Sequence, residues 1–202
     1  MFVAGRNEGK SMIISHRHKF IFQHSRKVAG STITTLLNKH LGPEDLQIGS
    51  WHDSVAHGGG FNRHALKELV TNPIVVGEAV KRTATSVSNL RRPKFMHIAN
   101  EALKKPYFAK LGPNPPHAEA WRVRDFAPDA WQTYFKFSFV RNPYAQEVSD
   151  FSWRKCPARG VAFEEFLKRK LDPQRPDPEG VSISPPTNWP IYAIGDEVAV
   201  DF

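Results

Sequence analysis

Two strand-turn-helix segments constrain this chain more than any other feature. The first is Lys19-Phe-Ile-Phe-Gln-His-Ser-Arg-Lys-Val-Ala-Gly-Ser-Thr32. The second is Phe135-Lys-Phe-Ser-Phe-Val-Arg-Asn-Pro-Tyr144, continuing to Ser149. Each opens on an apolar run of strand length, turns at a basic residue and enters a helix. The free N–H groups of a helix start, beside a cation, hold an anion. A chain that builds this twice suits one ligand with phosphate-like groups at both ends.

The rest of the chain alternates in the same way. Lys19 to Gln23, Pro73 to Gly77 and Phe135 to Val140 are predicted strands, with a shorter one at Met12 to Ile14. Ile33, Leu36, Leu37 and Leu41 recur on one face of a predicted helix, which Gly42-Pro43 stops. Further helices are predicted over His64 to Val70, Ile98 to Leu111 with a break near Pro106, Tyr144 to Trp153, and Phe163 to Leu171 before Pro173. Trp131 to Tyr134 reads as a helical turn. Residues 44 to 63 and 112 to 128 read as loops, 78 to 94 show little periodicity, and 172 to 190 hold six prolines and read as extended. Ile191 to Ile194 and Val198 to Val200 flank Gly195-Asp196 as a hairpin. Strands alternating with helices predict an α/β fold of three layers, with a central, mostly parallel sheet flanked by helices and the ligand at the carboxyl ends of the strands.

The 202 residues suffice for one compact core and contain no apolar run near 18 residues. The polar start, Met1 to Lys10, is unlike a secretory signal. A single cysteine, Cys156, excludes an internal disulfide framework and a cysteine-rich zinc site. A net charge of +8 favours an anionic partner. Nucleotide, nucleic acid and acidic glycan all satisfy that charge. The dense run Lys168-Arg-Lys170 reads as a solvated helix end. His16 and His18 lack a third ligand at metal spacing, so no metal site is expected.

Ser25 to Thr32 is the candidate anion loop. Lys27 contributes a point charge, and Ser31 and Thr32 contribute hydroxyls. The logic is that of a P-loop, but the Walker A spacing is absent. Gly5-Arg-Asn-Glu-Gly-Lys10 has three residues between its glycines where Walker A has four. In the second segment Arg141 leaves a strand with a fork of donors suited to phosphate, Pro143 suits the first helical turn, and Ser149 lies two turns along.

Together these segments resemble the carbohydrate sulfotransferases of the family-2 type. That family's first signature, His-x-Pro-Lys-Thr-Ala/Gly-Gly-Thr-Ser, stands here as His24 to Thr32, with Arg26 in place of Pro and Val28 in place of Thr. Its second, Phe-x-Phe-Val-Arg-Asn-Pro-Tyr/Trp, stands as Phe137 to Tyr144, followed by Ser149. The resemblance covers nearly the whole chain. It implies a P-loop-like fold and a PAPS-dependent sulfotransferase, moving the sulfuryl group of 3′-phosphoadenosine 5′-phosphosulfate (PAPS) to a carbohydrate hydroxyl without a metal. It further implies that Ser25, Arg26, Lys27, Val28, Ala29, Gly30, Ser31 and Thr32 hold the 5′-phosphosulfate. Arg141 and Ser149 would hold the 3′-phosphate, and Lys27 would stabilise the leaving charge.

A sugar hydroxyl needs a general base. His97 is the first candidate, because Phe95-Met-His-Ile-Ala resembles the family's Lys-His-x-x-Ala stretch ahead of a helix. Glu78 is the second, with an ion pair to Lys81 or Arg82 as its structural reading. Asp196 to Phe202 resembles the stretch leading into the family's Val-Asp-Phe-Ile/Val-Gly-Arg-Phe-Glu. A single domain over 1–202 without the family's last elements is therefore expected. A cytoplasmic enzyme is the expectation, with the Golgi lumen as the alternative if an anchor precedes the chain. No nucleic-acid partner is expected. A P-loop-like nucleotide kinase and an inactive anionic-glycan or nucleic-acid-binding relative stay open beside the enzyme.

Overall fold

The computed structural model describes residues 11–89, 94–172, 174–180 and 187–202. The Gly5–Lys10 stretch and Pro173 lie outside them. Two short apolar runs, β1 (Met12–Ser15) and β2 (Phe20–Gln23), form an antiparallel hairpin with Ile13 opposite Phe22. Both are almost fully buried, as strands covered on two faces must be. The chain then turns into α1 (Gly30–Asn38) and returns as β3 (Leu46–Ile48), antiparallel to the other edge of β1. Helices follow as α2 (Trp51–Ala56), α3 (Arg63–Thr71), α4 (Pro73–Ser88), α5 (Phe95–Lys104), α6 (Phe108–Leu111), α7 (Ala120–Phe126) and α8 (Pro128–Thr133). Next comes β4 (Phe135–Ser138), parallel to β2 with Phe22 opposite Phe137. It leads to α9 (Pro143–Trp153), α10 (Phe163–Leu171), α11 (Trp189–Tyr192) and a small hairpin of β5 (Ala193–Ile194) and β6 (Glu197–Val198).

The main sheet has the order β3-β1-β2-β4 and is flanked by helices. It is mixed, not mostly parallel: among the described strands only β2 and β4 run parallel. The cause is the four-residue link between β1 and β2. So short a link permits a hairpin and excludes a crossover helix. The last residues lie along the outer edge of β4. The Phe202 carbonyl accepts from Ser138 N–H at 2.9 Å, and Asp201 N–H donates to the Lys136 carbonyl at 2.8 Å.

One face of the sheet supplies Met12, Ile14, Ile21, Leu46 and Ile48 to a core closed by Leu111, Ala118, Val123 and Ala130. Residues 112 to 128 are thus not a surface loop. Pro115, Pro116 and His117 are buried, and α7 follows them. Residues 44 to 63 likewise hold β3 and α2, elements too short to show a period. A second cluster of Trp51, Ala65, Val75, Ala102 and Leu103 joins α2, α3, α4 and α5.

Two further expectations change. Pro73 to Gly77 opens α4 and is not a strand. The Asn72 carboxamide accepts from Ile74 N–H at 3.0 Å, and Pro73 occupies the first turn, so capping chemistry outweighs the β-branched run. Ile74 is 53% exposed while Val75 is fully buried, a helical alternation. In α1 the buried face is Gly30, Thr34 and Asn38, and Leu36 is 59% exposed. The helix lies close to the sheet because this small, polar stripe bonds to it. The Ser11 and Thr34 hydroxyls are 2.6 Å apart, and Asn38 Nδ2 donates to Gln47 Oε1 at 2.9 Å.

Asp45 pins the β1–β2 turn to the approach to β3. Its buried carboxylate accepts from Ser15 Oγ at 2.6 Å, His16 N–H at 2.7 Å, Gly42 N–H at 2.8 Å and Arg17 N–H at 3.0 Å. Burial alone would raise its pKa, but these hydrogen bonds outweigh burial and hold it below the usual carboxylate value. Asp45→Ala is expected to cost about 3 kcal/mol in urea unfolding, since it strands buried donors. A depressed pKa stabilises the fold above the unfolded value near ~3.9, and that contribution fades as pH falls through the lower folded value. Asp45→Asn should lack this part of the acid-side slope.

Candidate active site

Because β2 and β4 are neighbours and parallel, the two segments that follow them open on the same side of the sheet. Ser138 Oγ donates to the Gln23 carbonyl at 2.7 Å and stands 2.9 Å from Ser25 Oγ, which ties the strand ends together. Beyond this tie the chains diverge, and a cavity of 340 Å³ opens between them. This is the crevice where α/β sheets bind ligands.

The first wall is the loop into α1. Lys27 and Ala29 both have φ near +60° (62° and 61°), a left-handed conformation that L-residues adopt at a cost of about 1–2 kcal/mol each. The resulting turn leaves the N–H groups of Ala29 and Gly30 without a hydrogen bond to any described residue. They lie at the start of a nine-residue helix, the geometry that cradles an oxyanion. Residue 30 must be glycine. A Cβ there would stand 1.6 Å from His24 Nε2, and His24 is buried with its Nδ1 accepting from Ser11 N–H at 2.9 Å. The Lys27 ammonium lies over the Trp153 ring, 4.9 Å from its centre.

The second wall is Arg141 and α9. Asn142 caps this helix, accepting from Tyr144 N–H at 3.0 Å and Ala145 N–H at 3.2 Å, and Pro143 occupies the first turn. The Arg-Asn-Pro run therefore releases Arg from the strand, caps the helix and starts it. Gln146, Ser149, Asp150 and Trp153 follow at helical spacing and all line the cavity. Arg141 Nη1 donates to the Lys27 carbonyl at 3.3 Å, so the two basic residues share one site.

Of the residues selected by sequence, Arg26, Lys27, Val28, Ala29, Gly30, Ser31, Arg141 and Ser149 line this one cavity. Ser25 does not: it is fully buried and its hydroxyl serves the strand tie. Thr32 is exposed and is not among the lining residues. His97 is exposed on α5, near Glu101, and does not line the cavity. Glu78 is half-buried on α4, where it pairs with Arg82 at 2.7 Å.

His117, in contrast, does line the cavity. Its Nδ1 donates to the His24 carbonyl at 2.6 Å, which leaves the lone pair of the neutral ring on Nε2. The two imidazoles meet edge to face with centres 4.9 Å apart. A signal existed in the sequence. His117-Ala-Glu-Ala120 carries the His-x-x-Ala spacing directly ahead of a helix, but a loop assignment for this region hid it.

The charge of the cavity is positive, with Arg26, Lys27, Arg141 and Lys170 against Asp150. Lys170 stands 2.5 Å from Glu147 and 3.5 Å from Asp150, and Arg154 stands 3.2 Å from Asp150. Asp150 is thus neutralised within the wall. Asn188, from the segment before α11, clamps the loop: it accepts from Arg26 N–H at 3.0 Å and donates to the Arg26 carbonyl at 3.1 Å. Among the described residues no group of three His, Cys, Asp or Glu side chains could hold a metal ion, and no helix is long and apolar enough to cross a membrane.

Compared with known families, residues 10–184 match the model described as the sulfotransferase family. No curated protein and no solved structure matches the chain.

Proposed function

The chain belongs to the sulfotransferase family, and from that membership we propose that it transfers the sulfuryl group of PAPS to a hydroxyl of a carbohydrate. The observation that carries this reading is the pair of anion grips on one cavity, Lys27 with the start of α1 and Arg141 with Ser149. The 5′-phosphosulfate lies against the first and the 3′-phosphate against the second. His117 Nε2 takes the proton of the acceptor hydroxyl. The acceptor oxygen bonds to sulfur as the bridging sulfur–oxygen bond breaks, and that electron pair leaves on the 5′-phosphate. Lys27 meets the charge that builds there, so positioning and fixed charge supply most of the catalysis.

Adenosine 3′,5′-bisphosphate, the product of this reaction, is the direct probe. At one hundred times its Kd it should stabilise the protein by about 2.7 kcal/mol, a Tm rise of roughly 5–10 °C for a chain of this size. Transfer of labelled sulfate from PAPS to a panel of oligosaccharides completes the test. No shift with the bisphosphate, together with magnesium-dependent hydrolysis of ATP, would replace this reading by a kinase.

A further inference from the structure

Arg26 lies just past the end of β2, where the sheet no longer supports the chain. Among the described residues no strand runs beside it: β4 ends at Ser138, level with Gln23. Asn188 fills that place with a side chain. Its Oδ1 accepts from Arg26 N–H at 3.0 Å and its Nδ2 donates to the Arg26 carbonyl at 3.1 Å, the two bonds that a neighbouring strand would exchange with one residue. The second Nδ2 hydrogen goes to Gln146 Oε1 on α9 at 3.3 Å. The Arg26 N–H can only donate, which fixes the orientation of the carboxamide. Asn188 is 8% exposed and lines the cavity, but both of its donor hydrogens are engaged by protein. It therefore acts on a bound anion through the loop and not by contact.

The residue that Asn188 holds leads straight into the strained turn. Lys27 and Ala29 are left-handed, at φ 62° and 61°, a conformation that persists only where the surroundings enforce it. On the α1 side the close fit of Gly30 against His24 fixes the turn. On the β2 side Asn188 fixes Arg26, and Arg141 donates to the Lys27 carbonyl. Asn188 lies outside residues 10–184, which carry the family match. We propose that Asn188 is a positioning residue for the reaction. It braces the β2 end of the anion loop against α9 and keeps the Lys27–Ala29 turn in the form that presents the Ala29 and Gly30 N–H groups to the 5′-phosphosulfate. This rests on the sulfuryl-transfer reading for the identity of the anion. Without the brace the turn populates other conformations, and apparent affinity falls with the competent fraction.

The full chain is titrated calorimetrically with adenosine 3′,5′-bisphosphate and with adenosine 3′-monophosphate, which lacks the phosphate that the loop holds. The wild type is expected to bind the bisphosphate about 100-fold more tightly. Asn188→Ala should shrink that preference about tenfold, with the monophosphate Kd changed by less than about threefold. A residue that merely supports the fold would weaken both nucleotides alike, or lower Tm with the preference intact, and either result overturns the proposal. Asn188→Gln keeps the carboxamide on a longer stem and should retain only part of the preference, which gives a second variant if the first does not fold. A full wild-type preference in the variants that fold overturns the proposal. Equal binding of the two nucleotides by the wild type does so as well, because the loop then holds no phosphate. Failure of the sulfuryl-transfer reading shows separately, as a wild type that ignores both nucleotides. The loop is then probed with inorganic sulfate in a thermal-shift titration. A sulfate Kd about tenfold weaker in the Asn188 variant supports the brace. An equal Kd, or no sulfate binding by the wild type, overturns it.

Discussion

His117→Asn should lower kcat for sulfuryl transfer by roughly 10²- to 10⁴-fold, the usual range for loss of a general base. Asparagine is chosen because its Nδ2 can take the place of the histidine Nδ1 and keep the 2.6 Å bond to the His24 carbonyl. What disappears is the lone pair at the Nε2 position. The pH profile gives a reading that a merely structural role would not. A base works only when unprotonated, so wild-type activity falls on the acid side, and the variant's residual activity should lack that limb. His97→Gln serves as the control, since His97 is exposed on α5 and does not line the cavity. A full loss in the His97 variant with an active His117 variant would reverse the assignment.

Lys27→Met is the second large effect. Methionine keeps an unbranched stem beside Trp153 and removes the ammonium that lies 4.9 Å from that ring. Removing one preorganised stabiliser of a leaving oxyanion costs roughly 10²- to 10³-fold in kcat. Arg141→Ala should behave differently. In the proposed reading Arg141 grips the end of the donor that does not react, so its loss should raise KM for PAPS by about 10- to 100-fold with a smaller change in kcat. Equal falls in kcat for the two variants would sink the division of labour between the two grips.

Local chemistry explains what could be read early. Gly30-Ser-Thr32 and Arg141-Asn-Pro143 each specify a strand end, a turn and a helix start within a few residues, and so the two turns were legible. Misreadings arose where a neighbour outweighed a local preference. Ile74-Val-Val76 has strand propensity, yet the Asn72 cap and Pro73 turn it into helix. Leu36 looks like core, yet α1 turns its Gly30-Thr34-Asn38 stripe inward because that stripe bonds to Ser11 and Gln47. His97 and His117 both precede or begin helices, and only the packing of residues 115–117 beneath β1 and His24 separates them.

The order of residues alone determined that this chain carries two strand-turn-helix segments, which basic residue sits in each, and which family signature they spell. Those depend on backbone turns, caps and residue type over short spans. Tertiary structure decided that the two turns face one cavity, because β2 and β4 pair in parallel across more than a hundred intervening residues. It also set His117 rather than His97 beside that cavity and braced Arg26 with Asn188. Such facts depend on which surfaces are brought together and desolvated, and no local pattern encodes that.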